Sequence, residues 1–258
     1  MIRVLTFGRF ADESFGGLER YVFELAHALA GEVHFVNIVA QRGAPPDVPM
    51  AGETVYARPL ASLGGTPVCP TMPWHALRRH WRQPFDIVHL QFPADPMAHL
   101  AYELMPRSVK RVISWHSDIV RQQKLLRLYR PFLDHSLRAA DAIIAATPAH
   151  ISSSEQLSPV RETARFRVVP YGFDLSRFEP RPALADEIRG RFGGRFLIFA
   201  LGRHVYYKGF GFLIRALASL PGAALALGGV LPAVYAARLN SLANSGAKES
   251  STVCSDGL

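Results

Sequence analysis

The stretch IRVLTFGRFADESFGGLERYVFELAHALAGEVHFVNIV (residues 2–39) decides the fold of this chain. Its first six residues (2–7) form a short apolar run that predicts a buried strand. A helix is predicted over residues 17–30, because four apolar positions fall on one face at helical spacing: Leu18, Val22, Leu25 and Leu29. Residues 33–39 predict the next strand, so the stretch is the start of a parallel sheet.

The same alternation of strands and helices continues along the chain. Further strands are predicted at residues 85–90, 111–114, 142–145 and 166–169, and helices at residues 97–104, 119–139 and 148–157. Residues 43–73 are rich in glycine and proline and are expected to hold at most short strands. The pattern predicts an α/β fold with a doubly wound parallel sheet that carries helices on both faces.

Two domains are predicted. The first covers residues 1–174, residues 175–195 form a linker with a short helix, and a second α/β unit covers residues 196–258. In the second unit we expect strands at 196–201 and 223–227 and helices at 209–220 and 233–243. Doubly wound domains usually have about 100–150 residues, so we expect this second domain to be incomplete.

Composition narrows the classes of partner. The hydrophobic fraction of 49% is sufficient for a large hydrophobic core. The formal net charge of +8 favours an anionic membrane or a phosphorylated substrate as partner. The cations form no dense block, so no nucleic acid is expected. Cys69 and Cys254 are too few and too far apart for a disulfide framework or a metal cluster. The uncharged stretch 216–237 holds prolines and glycines that favour a buried helix–strand–helix over a membrane span.

Two loops between a strand and a helix carry anion-binding signals. Gly16 and Gly17 stand at a predicted helix start, where free backbone N–H groups and the helix dipole favour a phosphate, although a tight turn would use the same residues. Arg203 and Lys208 follow the predicted strand of the second unit. Two cations at the carboxyl end of a strand can clamp a diphosphate, and the alternative is a pair of solvated cations.

A third motif, Ser114-Trp115-His116-Ser117-Asp118, follows a predicted strand. His116 would project into the crevice at the strand end, where it can bond a sugar hydroxyl or serve as a structural histidine. Asp118 is expected to cap the helix that starts at residue 119. That helix carries cations at three-residue spacing, which could face anionic lipid or simply water: Arg121, Lys124, Arg127 and Arg130.

Several catalytic signatures do not occur in the sequence. It contains no Asp-x-Asp pair for a carboxylate-bound metal, no P-loop, no Gly-x-Ser-x-Gly and no His-Glu-x-x-His. These absences disfavour kinase, hydrolase and zinc-protease functions.

Together the motifs resemble the retaining GT-B glycosyltransferases of family four. The resemblance covers residues 2–230 and rests on the order and spacing of six segments: Gly16-Gly17-Leu18-Glu19-Arg20, residues 85–93, residues 115–122, residues 140–145, residues 168–174, and Gly202-Arg203 with Lys208-Gly209. It implies a GT-B fold, with an N-terminal Rossmann-like domain on the acceptor side and a partial C-terminal domain that binds the nucleotide sugar.

The resemblance also implies an activity. It implies transfer of a hexose, with mannose as one candidate, from a nucleotide sugar to a glycan or lipid-linked acceptor with retention of configuration. Gly16 and Gly17 would contact the donor phosphates, His116 would bond the donor sugar as the catalytic residue, and Arg203 and Lys208 would neutralise the leaving diphosphate. No metal or other cofactor is expected, and the implied location is cytoplasmic, with peripheral contact at the inner membrane face.

The sequence departs from the family pattern in two places. Gln91 stands where many relatives have a second histidine. The family's C-terminal Glu-x7-Glu segment does not occur after residue 209, because no acid lies eight residues after Glu249. We therefore expect weak donor binding and little transfer by this chain alone. The alternative is a non-catalytic remnant that binds acceptor or lipid, and nucleotide-sugar binding by the full-length form would distinguish the two.

Overall fold

The computed structural model describes residues 1–9, 16–41, 50–63, 66–120, 122–172, 175, 179–202, 208–217 and 219–229. The chain divides into two compact units, Met1–Phe173 and Asp174–Leu258. Arg203, Arg121 and the predicted helix at 233–243 lie outside the described residues.

The first unit is built on a seven-stranded sheet. Its described residues contain nine strands: β1 (Ile2–Gly8), β2 (Val33–Ala40), β3 (Glu53–Ala57), β4 (Ala61–Leu63), β5 (Thr66–Val68), β6 (Ile87–Phe92), β7 (Lys110–Trp115), β8 (Ala142–Ala145) and β9 (Phe166–Val168). The main sheet has the order β3-β2-β1-β6-β7-β8-β9 and every pairing in it is parallel. β4 and β5 form a separate antiparallel pair.

In the part of the unit that the structure describes, five helices flank this sheet: α1 (Gly17–Ala28), α2 (Met72–Arg82), α3 (Pro96–Leu104), α4 (Gln123–Ala139) and α5 (Pro148–Ser153). Right-handed crossovers place α1 on one face and α2, α3 and α4 on the other. The largest core cluster lies between the sheet and the α2–α4 layer, where Phe92 and Trp115 stack with ring centroids 4.2 Å apart. The predicted doubly wound parallel sheet is confirmed for this unit.

A buried ion pair connects α3 to β7. The Arg111 guanidinium lies 3.2 Å from a carboxylate oxygen of Glu103, and both side chains are nearly buried. Arg111 also donates to the backbone oxygens of Glu103 and Met105, at 3.1 Å and 2.9 Å. Because these polar groups meet in a nearly buried environment, removal of Arg111 would leave the groups that it contacts without their partner.

Two features of the first unit were not predicted from the sequence, namely the place of β3 in the main sheet and the helix α2. In its described residues the glycine- and proline-rich segment forms short strands, as predicted, but β3 joins the main sheet beside β2. The helix α2 was missed altogether. It buries Met72 and Ala76 and packs Leu77 against the core, which is a short apolar set among many basic residues and gives only a weak helical signal.

The second unit has a small sheet of its own. It contains α6 (Pro182–Arg191), β10 (Phe196–Leu201), α7 (Phe210–Leu217) and β11 (Ala223–Gly228). β10 and β11 pair in parallel, and α7 packs on them through Ile214 and Leu217 against Leu225 and Leu227. The predicted strand–helix–strand order is therefore confirmed for the described part of this unit.

Candidate functional site

The chain order of the sheet creates a switch point between β1 and β6. From β1 the chain moves to β2 and β3 on one side, and it later returns to β6 on the other side. Ligands of open α/β sheets bind in the crevice beyond the carboxyl ends of the strands at such a point. The start of α1 follows β1, and His116 follows β7, so two predicted site segments lie at this edge of the sheet.

The N-terminus of α1 begins at the two predicted glycines. Gly16 is the N-cap residue, its carbonyl accepts from the backbone N–H of Arg20 at 3.0 Å, and no side chain among the described residues caps the helix. A Cβ added at Gly17 would meet no atom within 4 Å. The first N–H groups of a helix have no partner within it, so the backbone here is open to an anion. Phosphate contact at Gly16 and Gly17 remains a prediction.

Polar side chains alternate with core side chains along β6 and β7. His89 and Gln91 from β6 share one face with Ser114 from β7, because Gln91 and Ser114 are paired in register. His116 follows on the same face, and Tyr21 of α1 meets its ring edge-on at a centroid distance of 4.9 Å. At the carboxyl ends of β6 and β7, the sheet therefore directs His89, Gln91 and Ser114 toward α1.

His116 is held at both ring nitrogens. Its Nδ1 lies 2.9 Å from the hydroxyl of Tyr171, and its Nε2 lies 2.9 Å from the side-chain oxygen of Gln91. The Tyr171 ring stacks on the imidazole with centroids 5.9 Å apart. The backbone N–H of His116 donates to the Phe92 carbonyl at 2.9 Å, which fixes the residue to the end of β6.

The hydrogen bonds continue inward to His89. The Gln91 amino group lies 3.3 Å from Nε2 of His89, and the Ser114 hydroxyl lies 2.8 Å from the same atom. With this amide orientation Gln91 donates to His89 and accepts from His116. His116 therefore carries its proton on Nε2 and accepts the Tyr171 hydroxyl proton at Nδ1.

Both histidines are neutral at neutral pH. Burial lowers the pKa of His116 to about 4, and the nearby His150 adds to the effect. Burial, together with His116, lowers the pKa of His89 to about 4. A neutral imidazole can exchange hydrogen bonds with a sugar hydroxyl. To do so at Nδ1 it must replace the bond from Tyr171, whose side chain is on the exposed side of the cluster.

These assignments predict the nuclear magnetic resonance signals of His116. We expect a neutral ring with the proton on Nε2 that titrates only near the pKa of about 4. In Tyr171→Phe the Nδ1 atom loses its donor, so its nitrogen resonance should move toward that of an unbonded imidazole nitrogen while Nε2 stays bonded to Gln91. Nitrogen-15 histidine spectra of the two proteins test this.

His34→Gln, which removes a histidine at the opposite end of the sheet, serves as the control for assigning the spectra. An Nδ1-protonated His116 in the parent protein would contradict the proposed direction of the hydrogen bonds.

The expectation for Asp118 was wrong. Its carboxylate does not cap α4 but accepts from the indole N–H of Trp115 at 3.1 Å and from the Ser154 hydroxyl at 2.6 Å. The neighbouring Ile119 pairs both of its backbone groups with the side chain of Gln156, at 3.1 Å and 3.0 Å. These bonds hold the segment as a loop, so α4 begins only after it.

Other predicted boundaries also shift. The predicted helix over 148–157 ends at Ser153, and a short 3-10 turn follows at Ser158–Val160. Of the four cations predicted at three-residue spacing along the helix after residue 119, Lys124 and Arg127 are exposed. Arg130 instead pairs with Asp134 at 2.7 Å, so its charge is neutralised within α4.

Lys208 lies just before the N-terminus of α7 in the second unit. Its side-chain carbons run along Gly202, within 3.8–3.9 Å of where a Cβ on that glycine would be. Because the dipole of a helix N-terminus disfavours a cation, an anion between the two would be stabilised by both. With Arg203 outside the described residues, the diphosphate clamp as a pair remains a prediction.

Gly229 makes a close backbone approach at the end of β11. A Cβ there would lie 2.1 Å from the Gly202 oxygen, and the φ of +124° is one that L side chains rarely adopt. We expect Gly229→Ala to destabilise the second unit by about 2 kcal/mol or more. Faster hydrogen–deuterium exchange in peptides from β10 would report the loss.

Gly193→Ala is the matched control, since Gly193 has a positive φ of +60° but nothing within 4 Å of its Cβ position. Its cost should be only about 1 kcal/mol. Equal exchange in the two variants would show that the contact with Gly202 contributes nothing.

Sequence reasoning did not identify the partners of His116. Tyr21 and Tyr171 come from distant segments, and only the fold brings them to the ring. His89 and Gln91 left a readable signal, because they are polar residues at alternate positions of an otherwise apolar strand.

Among the described residues, no group of three or more His, Cys, Asp or Glu side chains could hold a metal ion. Within the same part of the chain, no helix is both long enough and apolar enough to cross a membrane.

Two solved structures share the fold of the whole chain. Anabaena Alr3699/HepE, in complex with UDP and glucose, matches with a TM-score of 0.73 at 17% identity, covering 100% of this chain and 70% of that one. Sucrose-phosphate synthase from Thermosynechococcus elongatus matches with a TM-score of 0.74 at 16% identity, covering 100% and 71%. These matches confirm the predicted GT-B-type fold.

Two curated relatives match in sequence. D-rhamnosyltransferase WbpZ from Pseudomonas aeruginosa is 34% identical over 222 residues, which cover 84% of this chain and 56% of the relative. The O-antigen chain mannosyltransferase C of Escherichia coli is 26% identical over 209 residues, covering 79% and 54%. The chain thus spans about half the length of these relatives.

The family comparison covers the segment that holds the His116 cluster. The family described as Glycosyltransferase Family 4 matches residues 15–177, well over half of the chain. That range runs from the start of α1 through Tyr171. The chain therefore belongs to glycosyltransferase family 4.

Proposed function

We propose that this chain is part of an enzyme that transfers a mannose-type hexose from a nucleotide sugar to a glycan or lipid-linked acceptor, with retention of configuration. The observation that carries the proposal is the neutral His116 at the carboxyl edge of a parallel sheet, beside the open N-terminus of α1. The rhamnosyl and mannosyl specificities in the names of the two relatives support the class of sugar. Rhamnose is mannose without its 6-hydroxyl.

Each predicted site residue has a role in this proposal. His116 bonds a hydroxyl of the donor sugar, and the N–H groups after Gly16 and Gly17 bind the donor phosphates. Arg203 and Lys208 neutralise the diphosphate as the glycosidic bond breaks. Charge that develops on a leaving group is stabilised best by cations already in position, which is the reason to expect no metal in the reaction.

The proposed acceptor side is the first unit. The formal charge of +8 and the exposed cations of α4 support peripheral contact with an anionic membrane face, where a lipid-linked acceptor would be presented. A cytoplasmic reaction at the inner membrane face is part of the proposal.

The test is a transfer assay with the longest natural polypeptide that contains this chain. We expect transfer from nucleotide-activated mannose or rhamnose to a membrane extract, unchanged by a metal chelator, and the same anomeric configuration in donor and product by nuclear magnetic resonance. Titration calorimetry with the same nucleotide sugars measures donor binding separately from transfer. If no nucleotide sugar binds, the enzymatic proposal is wrong and the non-catalytic alternative stands.

A further inference from the structure

The outer face of α2 combines exposed tryptophans with arginines. Trp74 and Trp81 are 55% and 68% exposed, whereas the third tryptophan of the chain, Trp115, is 1% exposed. Arg78 and Arg82 are exposed as well. Positions 74, 78, 81 and 82 share one side of a helix at spacings of four, three and one. We call these four residues the α2 face.

The opposite side of α2 holds the helix in the protein. Met72 and Ala76 are buried against the core, and Arg79 pairs with Glu53 of β3 at 2.7 Å. These contacts hold α2 in place, so that the α2 face points outward from the protein. α2 contains no acidic residue, so nothing on the helix itself neutralises its outward arginines.

We propose that the α2 face docks on an anionic phospholipid bilayer, with the helix lying parallel to the membrane surface. Indole rings prefer the level of the lipid headgroups, where one part is apolar and the N–H stays wet. Arginine forks bind lipid phosphates. A convex helix face needs no groove for this contact, and the arrangement of aromatic and cationic residues is that of an interfacial helix.

Charge and position favour a bilayer over a polysaccharide as the occupant. The α2 face has no carboxylate or amide to accept or share hydrogen bonds with sugar hydroxyls. α4 lies on the same side of the sheet and exposes Leu128 to 82% beside Arg127, which repeats the combination of apolar and cationic side chains. This inference rests on the membrane contact proposed above but not on the transfer reaction.

The experiment measures binding of the chain to vesicles of phosphatidylcholine with or without phosphatidylglycerol. We expect co-sedimentation with the anionic vesicles at low salt and little with the neutral ones. Lipids brominated near the headgroup should quench the fluorescence of the bound protein. Trp74→Gln/Trp81→Gln should lose this quenching and bind at least about tenfold more weakly, and Arg78→Gln/Arg82→Gln should weaken binding similarly.

Two further variants separate the explanations. Arg189→Gln/Arg191→Gln removes the same charge from the exposed end of α6 and should bind nearly as the parent does. Arg127→Gln/Leu128→Gln tests α4. Binding that survives in the α2 variants and disappears in the α4 variant would overturn the assignment to α2 while leaving the membrane contact standing.

Absence of binding by the parent chain to anionic vesicles would overturn the membrane contact and the α2 assignment together. Retention of the parent on an immobilised mannan, lost in the tryptophan variant, with no binding to vesicles, would assign the α2 face to a glycan instead. None of these outcomes depends on whether the chain transfers a sugar.

Discussion

Replacing Lys208 with methionine is expected to lower kcat/KM for sugar transfer by about 10- to 150-fold, the equivalent of one charge-assisted hydrogen bond to the leaving diphosphate. Lys208 precedes α7, and its stem is positioned along Gly202 at the carboxyl end of β10. Methionine keeps most of the stem and removes the charge. Because the charge of the leaving group grows in the transition state, kcat should fall along with kcat/KM.

The controls use the same helix. Lys208→Arg keeps a cation and should restore much of the activity, although a planar fork replaces a point charge. Arg215→Met removes an exposed cation from the other end of α7, where it stacks on Phe212, and should leave transfer nearly unchanged. Initial rates for each variant, at saturating and limiting donor, are the measurement. A loss confined to KM would show that Lys208 contributes only ground-state binding.

Replacing Arg111 with methionine is expected to cost about 3–5 kcal/mol of unfolding free energy. The substitution leaves the Glu103 carboxylate buried without its cation, and it frees the backbone oxygens of Glu103 and Met105. Arg111 also lies over the ring of Tyr102, 5.2 Å from its centroid. Urea unfolding followed by the fluorescence of the buried Trp115 reports on the first unit.

The neighbouring residue supplies the control. Lys110 pairs with Asp141 at 3.0 Å, but its side chain is 70% exposed, so Lys110→Met should cost at most about 1 kcal/mol. Adding Glu103→Gln to Arg111→Met should recover part of the loss, because the uncompensated charge is then removed. Similar losses for Arg111→Met and Lys110→Met would mean that burial of the pair has no energetic consequence.

An element of the fold could be predicted from the sequence where the residues that it buries also form a regular apolar pattern. β1, α1 and β2 each bury one continuous set of apolar side chains, so their periodicity is visible in the sequence. α2 follows a different rule. It contacts the core through Met72, Ala76 and Leu77, a short apolar set that stands among basic and aromatic residues and is therefore hard to recognise in the sequence.

The site was predictable only in part, for a physical reason that Asp118 illustrates. A cap depends on residues within one helical turn, and by that rule Asp118 is a good candidate. In the structure it bonds instead to Ser154, and Ile119 bonds to Gln156, both more than thirty residues away. Likewise Tyr171 reaches His116 across 55 positions of sequence. Long-range partners of this kind leave no local pattern.

The alternation along β6 and β7 has a consequence for how specificity can evolve in this protein. His89, Gln91 and Ser114 face the site, whereas Leu90 and Trp115 face the core, and the two sets are interleaved residue by residue. Point substitutions on the side of the candidate site can therefore change its polar groups without disturbing core packing. Insertion of a single residue would exchange the two sides. We expect natural variants of the candidate site to differ here by substitution and not by length.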